Sequence, residues 1–138
     1  MKGFLLDTNV ISELRKRARC APAVDAWARS VPPEEQFLSV IVIGELTRGI
    51  ALKSRTDPVA ADSLAGWIER LVTLYGDRIL PVSIQVATAW GSLGAIRPMP
   101  PEDGLLAATA RVHDLTLVTR NIRNVEGLGV LVLNPWSH

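Results

Sequence analysis

Apolar positions follow two rhythms along this chain. Short continuous runs read as buried strands: residues 3–6, 36–38, 79–82, 115–118 and 130–133. Between them apolar side chains recur at helical spacing, as with Val10, Ile11 and Leu14. This rhythm predicts helices over 9–17, 22–30, 40 to about 53, 58 to about 75, 84 to about 93, and 103 to 113. Pro22 is tolerated in a first helical turn. Ser39 and Ser83 are placed as N-caps. Residues 40–43, Val-Ile-Val-Ile, are β-branched, so they fit an extension of the preceding strand as well as a helix start. Prolines at 32–33, at 58, and at 98, 100 and 101 punctuate the pattern. There is no repeat and no low-complexity tract. Strands alternating with helices predict an α/β fold with a mostly parallel central sheet. Such sheets bind ligands beyond the carboxyl ends of their strands.

The length of 138 residues suits one domain, spanning 1–138, with a core of its own. With 48% hydrophobic and 21% charged residues the chain reads as globular. No apolar run approaches the roughly 18 residues that cross a bilayer, and no signal-like h-region precedes Asp7. The expectation is a cytoplasmic protein without a membrane partner. Cys20 is the one cysteine, which excludes an internal disulfide and fits a reducing compartment. His113 and His138 are the only histidines, so there is no zinc-type cluster and no evident Cys–His pair. His113 is expected near a helix C-terminus, where the macrodipole favours it. The net charge of +1 gives no strong field, yet Arg15, Lys16, Arg17 and Arg19 are clustered, as are Arg120 and Arg123. Such groups serve as solvated surface or as phosphate contacts. Trp27, Trp67, Trp90 and Trp136 fit core packing, or a partner groove where exposed.

Three acids change this picture. Asp7 ends the first apolar run, in FLLDTNVIS, with Thr8 and Asn9 behind it. Capping of the next helix by Thr8 or Asn9 is one sufficient explanation. Glu45 lies in SVIVIGELTRGI among Val42, Ile43, Leu46 and Ile50, which predicts a largely buried helix. A glutamate there is costly unless paired, at an edge, or bound to a cation. Gly44 beside it lowers helix propensity by roughly 1 kcal/mol relative to Ala, and suggests a closely passing backbone. Asp103, in PPEDGLLAATA, opens a helix, where an N-cap or first-turn acid is ordinary. Gathered at one sheet edge, the three would repel, and a hard divalent cation such as Mg²⁺ or Mn²⁺ would offset that. Such an ion activates water and neutralises charge on a phosphoryl group, which suits phosphodiester hydrolysis. A fourth segment, LTLVTRNIRNVEG, leaves a strand through Thr119, Arg120 and Asn121. Thr119 and Asn121 are placed to orient carboxylates or waters. An ordinary strand exit accounts for them equally. A phosphoaspartyl enzyme is disfavoured: Asp7-Thr8-Asn9 lacks a second acid, and the lysines are Lys2, Lys16 and Lys53, none of them late.

Together, LLDTNVISELRK, SVIVIGELTRGI, DGLLAATARVHDLTLVTRNIRN and the closing LNPW resemble the PIN-domain ribonucleases. More closely they are similar to the toxin subunits of VapBC toxin–antitoxin systems, in the branch that includes FitB. The resemblance spans nearly the whole chain in the expected order. It implies a PIN-like domain with a short, mostly parallel sheet of four to five strands flanked by helices. It implies catalytic, metal-binding acids at Asp7, Glu45 and Asp103, with Mg²⁺ or Mn²⁺ as cofactor and RNA as substrate. Thr8, Asn9, Thr119 and Asn121 fall on its supporting polar positions, and Arg15, Lys16, Arg120 and Arg123 are candidates to steer the RNA backbone. The implied partners are a homodimer mate and a small DNA-binding antitoxin of VapB or FitA type, in a higher assembly. The chain departs from the pattern at Asn124, where the family commonly has a fourth acid. An amide can still offer a carbonyl oxygen to a cation or orient a water, so Asn124 joins the supporting polar positions, but it brings no charge, so affinity for a second metal should fall. Glu102 and Glu126 are the nearest substitutes. The departure also leaves open a catalytically weakened subunit that binds its antitoxin and contributes to operator-DNA repression.

Overall fold

The computed structural model describes residues 3–137. Five strands form one parallel sheet in the order β3-β2-β1-β4-β5. They are β1 (Phe4–Leu6), β2 (Gln36–Ser39), β3 (Ile79–Leu80), β4 (Thr116–Val118) and β5 (Val132–Leu133). Six α-helices connect them: α1 (Thr8–Leu14), α2 (Pro22–Ser30), α3 (Val40–Lys53), α4 (Pro58–Tyr75), α5 (Ile84–Gly94) and α6 (Pro101–Val112). The α/β expectation therefore holds. No helix among the described residues is long and apolar enough to cross a membrane.

Each central strand is buried because its side chains meet helices, and the core runs through Leu5, Leu6, Leu38, Leu117 and Val118. Helix α6 contributes Leu106, Ala107, Ala108 and Ala110, all essentially inaccessible. Its small side chains let it lie directly against β1 and β4. The strand order reverses beside β1, since the chain steps outward to β2 and β3 and then returns to β4 on the other side. That switch point lies between β1 and β4, and ligand crevices form there in open α/β sheets.

Several boundaries differ from the sequence expectation. Residues 40–43 are helical, because Ser39 ends β2 and its hydroxyl accepts from the Ile41 N–H, 3.0 Å away, as an N-cap. The first helix starts at Thr8 and stops at Leu14, so 15–17 lie outside it; Arg17 has φ 52° and leads into a 3₁₀ turn at Arg17–Arg19. The third strand is cut to Ile79–Leu80 by Pro81, which has no N–H for the ladder. The fourth and fifth strands begin later than expected, at Thr116 and Val132. Helix α6 opens at Pro101, not Asp103, because proline suits a first helical position. Helix α3 is less buried than its composition suggested: Val42 and Leu46 are buried, while Gly44, Thr47 and Gly49 are exposed. A Cβ on Gly44 would meet nothing within 4 Å, so no backbone passes close there.

Candidate metal centre at the carboxyl edge

Register places the first two polar groups of the site. Leu6 pairs with Val118 and the Asp7 N–H donates to the Val118 carbonyl at 2.9 Å, so Asp7 and Thr119 leave adjacent strands side by side. The Thr119 hydroxyl, fully buried, donates to Asp7 Oδ2 at 2.7 Å. Asp7 is itself the N-cap of α1, taking the Thr8 N–H on Oδ1 at 2.7 Å. This corrects the expectation that Thr8 or Asn9 caps the helix: an extended Asp7 ends the strand and begins the helix at once. Asn9 adds a third donor, its amide 3.3 Å from Asp7 Oδ2 and 3.4 Å from the Thr119 hydroxyl oxygen. The Asn9 carbonyl accepts from the Arg120 N–H at 3.3 Å, and the Asn121 N–H donates to Thr119 Oγ1 at 3.1 Å. Thus Asn9, Thr119 and the start of the 119–121 segment form one network around Asp7.

The other two acids arrive from α3 and α6. Thr8 links the first of them, since its hydroxyl donates to Glu45 Oε1 at 2.7 Å while its N–H holds Asp7. Asp103 stands in the first turn of α6 without capping it, and its Oδ2 accepts from the Asn124 amide at 3.0 Å. All three carboxyls are pushed above their ordinary range. Burial is the first cause for Asp7, partly opposed by the Thr119, Thr8 and Asn9 hydrogen bonds. Glu45 rises through burial, with the Thr8 hydroxyl pulling it back and the charges of Asp7, Glu102 and Asp103 adding to the rise. Asp103 rises through burial and the Asp7 charge, and Asn124 pulls it back. The three acids therefore feel one another, and Glu102 contributes to the same field. Glu126 is exposed and is not among the charges that perturb them.

Among the described residues, none of Asp7, Glu45 and Asp103 has a Lys or Arg ion pair. Nor are three such side chains already closed into a ligand cluster. The donor set consists of carboxylate oxygens backed by hydroxyls and amides, with no thiolate or imidazole at hand. That chemistry fits a hard, hydrated cation such as Mg²⁺, which retains several waters and takes few carboxylates. Thr119→Val tests the support directly. The swap keeps the shape and deletes the hydroxyl, leaving a buried carboxylate short of a donor. A loss of about 1–3 kcal/mol in unfolding free energy is expected by denaturant titration, with the Asp7 carboxyl pushed still higher.

The basic candidates are held in different ways. Arg120 stacks over the Trp136 ring at 4.8 Å and Arg15 over Trp67 at 5.8 Å. Lys16 pairs with Glu13 at 3.0 Å. Arg123 is exposed. Of the tryptophans, Trp27 is core, packed edge-on to Phe4 with centroids 5.4 Å apart, whereas Trp90 is 40% exposed. His113 closes α6 as its C-cap. Two residues near the site went unread in the sequence. Glu13 accepts from the Ala21 N–H at 2.8 Å, which draws its carboxyl below the ordinary range and ties down the basic turn. Arg97 reaches the loop that carries Asn124. Its one sequence signal is its place immediately before the proline-stiffened elbow at 98–101.

A parallel α/β sheet in this order carries Asp7 at its switch point, and the Asp7 charge reaches Glu45 and Asp103. The chain belongs to the PIN-domain family, whose model matches residues 4–126. Toxin FitB of Neisseria gonorrhoeae is 34% identical over 140 residues, covering 96% of this chain and 98% of FitB. The VapC ribonuclease Y4jK of Sinorhizobium fredii is 36% identical over 143 residues, covering 97% of this chain and 98% of its own. The crystal structure of FitAcB from Neisseria gonorrhoeae superposes with a TM-score of 0.88 at 34% identity, over 98% of this chain and 99% of that one.

Proposed function

We propose that this chain is a Mg²⁺- or Mn²⁺-dependent endoribonuclease and the toxin of a type II toxin–antitoxin pair. The observation that carries the reading is the trio Asp7, Glu45 and Asp103. Their charges couple, burial raises their proton affinity, and no cationic side chain among the described residues neutralises them. Such a trio disfavours the empty, ionised state and favours a divalent cation. When bound, that cation supplies Lewis acidity, lowering the pKa of water and offsetting charge on the phosphate under attack.

The chain's own residues do the rest. Thr8, Asn9 and Thr119 fix both oxygens of Asp7, so its lone pairs keep one direction. The Thr8 hydroxyl sets Glu45 and the Asn124 amide sets Asp103. Asn121 holds the Thr119 hydroxyl in place through its N–H. Arg120 and Arg15, each laid on a tryptophan face, offer preordered cations to the RNA backbone. Lys16 and Arg123 extend that basic rim.

The relatives support the biological half of the reading: FitB is a toxin, Y4jK a VapC ribonuclease, and FitB is solved within FitAcB. We assign this chain a small FitA- or VapB-like antitoxin, a homodimeric state and a cytoplasmic site of action. The test uses antitoxin-free protein and labelled RNA with Mg²⁺, Mn²⁺ or EDTA. Cleavage with either ion and none with EDTA is expected. Rates falling as salt rises from 50 to about 200 mM are expected if the basic rim carries backbone contacts. Cleavage that persists in EDTA would sink the metal-dependent assignment.

A further inference from the structure

We infer that Arg97 is a positioning residue for the candidate metal centre: it ties the connector leading into α6 to the loop that carries Asn124. The inference rests on the ribonuclease reading and deepens it. Arg97 Nη2 donates to three carbonyl oxygens, those of Arg123 at 3.3 Å, Asn124 at 3.0 Å and Glu126 at 2.9 Å. These three acceptors come from one short stretch and converge on one nitrogen. Without a cation between them, their dipoles would face one another. A charged donor offsets that repulsion, its two N–H protons shared among the three oxygens, so that at least one bond is bifurcated.

The location of Arg97 decides what those bonds do. It lies between α5 and α6, six residues before Asp103 in the chain. Asn124 ends the 3₁₀ turn Ile122–Asn124; its N–H donates to the Asn121 carbonyl, and the N–H of Val125, just past the turn, donates to the Ile122 carbonyl. Val125 and Leu128 anchor the far side of the loop in the core, and Gly127 and Gly129 take positive φ values of 79° and 71°. A loop with two such glycines has backbone freedom to spare. Arg97 removes that freedom on the side that faces the site. The 3.0 Å contact from the Asn124 amide to Asp103 thus spans two segments that one guanidinium holds together. Asn124 brings no charge of its own, so its value lies in orienting Asp103, and that depends on the clamp.

Because all three bonds leave a single nitrogen, a lysine ammonium can replace them, unlike at a forked guanidinium site. The experiment compares wild type, Arg97→Ala, Arg97→Lys, Asn124→Ala and the Arg97→Ala/Asn124→Ala double variant. Mn²⁺ affinity is read by calorimetry and kcat and KM with one RNA oligonucleotide. Arg97→Ala and Asn124→Ala are each expected to weaken Mn²⁺ binding about tenfold. The double variant is expected to be no weaker than either single one, since both act through one contact. Arg97→Lys should stay within about twofold of wild type, and kcat should fall in Arg97→Ala while KM holds. An unchanged Mn²⁺ affinity in Arg97→Ala, or a double variant weakened by the product of the single effects, overturns the inference. Amide hydrogen exchange over 122–126 reads the clamp with no metal or RNA present. Faster exchange in Arg97→Ala than in Arg97→Lys supports it even if wild type binds no Mn²⁺, a result that would remove the ribonuclease reading alone. Unchanged exchange overturns the clamp. Should Arg97→Ala not fold, Arg97→Gln, which keeps an amide donor but no charge, takes its place in every arm.

Discussion

Asp7→Asn is expected to lower metal-dependent RNA cleavage by ~10²–10³-fold, the loss that follows removal of one well-placed electrostatic group. The position makes this the most severe single change at the site. Asp7 is the most buried of the three acids and the one whose oxygens are both fixed, by Thr8 on one side and by Thr119 and Asn9 on the other. An asparagine carbonyl can keep the Thr8 N–H bond, so the N-cap survives. Its amide must then face the Thr119 hydroxyl and the Asn9 amide, both of which now donate to Oδ2. The hydroxyl can turn to accept, whereas the Asn9 amide cannot, so the support around residue 7 is partly lost along with its charge. Steady-state cleavage with Mn²⁺, alongside circular dichroism to confirm the fold, reads the effect. Activity within tenfold of wild type would remove Asp7 from the reacting centre.

The acids were legible one by one, and their grouping was not. Asp7 stood out because a carboxylate closed an apolar run, and the parallel sheet places that spot beyond a strand end. Nothing local in the chain says that Thr119 would sit beside it; that follows from the pairing of Leu6 with Val118, a contact 112 residues apart in sequence. Glu45 was found for a partly mistaken reason. Its apolar context predicts a largely buried helix, yet its neighbour Gly44 is open to solvent, and what perturbs Glu45 is partial burial plus the other acids. Asp103 is a first-turn acid as its position suggests, but the helix begins two residues earlier, which frees its side chain to face the site instead of capping.

Hydrogen bonds to backbone carbonyls were the part the sequence hid. Arg97 holds three carbonyls of a distant loop and Arg78 two, those of Pro33 and Gln36, besides that of nearby Leu74; the residue type alone does not say whether an arginine faces water or a loop. Helical spacing carries the first helix to residue 17, yet α1 stops at Leu14 and the basic cluster at 15–19 lies past it, in a turn that Glu13 pins from within α1. By sequence, Glu126, two residues on in a loop, and Glu102, beside Asp103, are both candidates to replace the missing fourth acid. Position on α6 places Glu102 within the field of the trio, while Glu126 points its backbone carbonyl at Arg97 and leaves its side chain exposed.

A second substitution separates stability from activity. Asp103→Asn is expected to raise the melting temperature of metal-free protein at pH 7, while weakening cleavage and Mn²⁺ binding. The carboxyls of Asp7, Glu45 and Asp103 all have folded-state pKa values above those of the unfolded chain. The folded state thus binds their protons more tightly. The stability this provides is fully present below the unfolded carboxylate pKa and is lost as pH rises through the folded values. The Asp7 charge raises both Glu45 and Asp103, and the Asp103 charge raises Glu45, so ionising these carboxyls together costs the folded state. An asparagine at 103 removes one charge, and its side-chain oxygen can still accept the Asn124 amide. Asp103 is half-buried, so solvent screening limits the gain, and a rise of ~2–5 °C is expected, the shift that about 1 kcal/mol produces in a domain of this size. The difference should close as the pH falls toward about 4, near the ordinary carboxylate range. Adding Mn²⁺ should reverse the order: at 100 times the dissociation constant a bound ion adds about 2.7 kcal/mol to the form that binds it, and wild type holds it better. Thermal melts in EDTA and in Mn²⁺, at pH 4 and pH 7, measure all four states. A variant that melts below wild type in EDTA at pH 7 would mean that the three carboxylates do not repel as their environment requires.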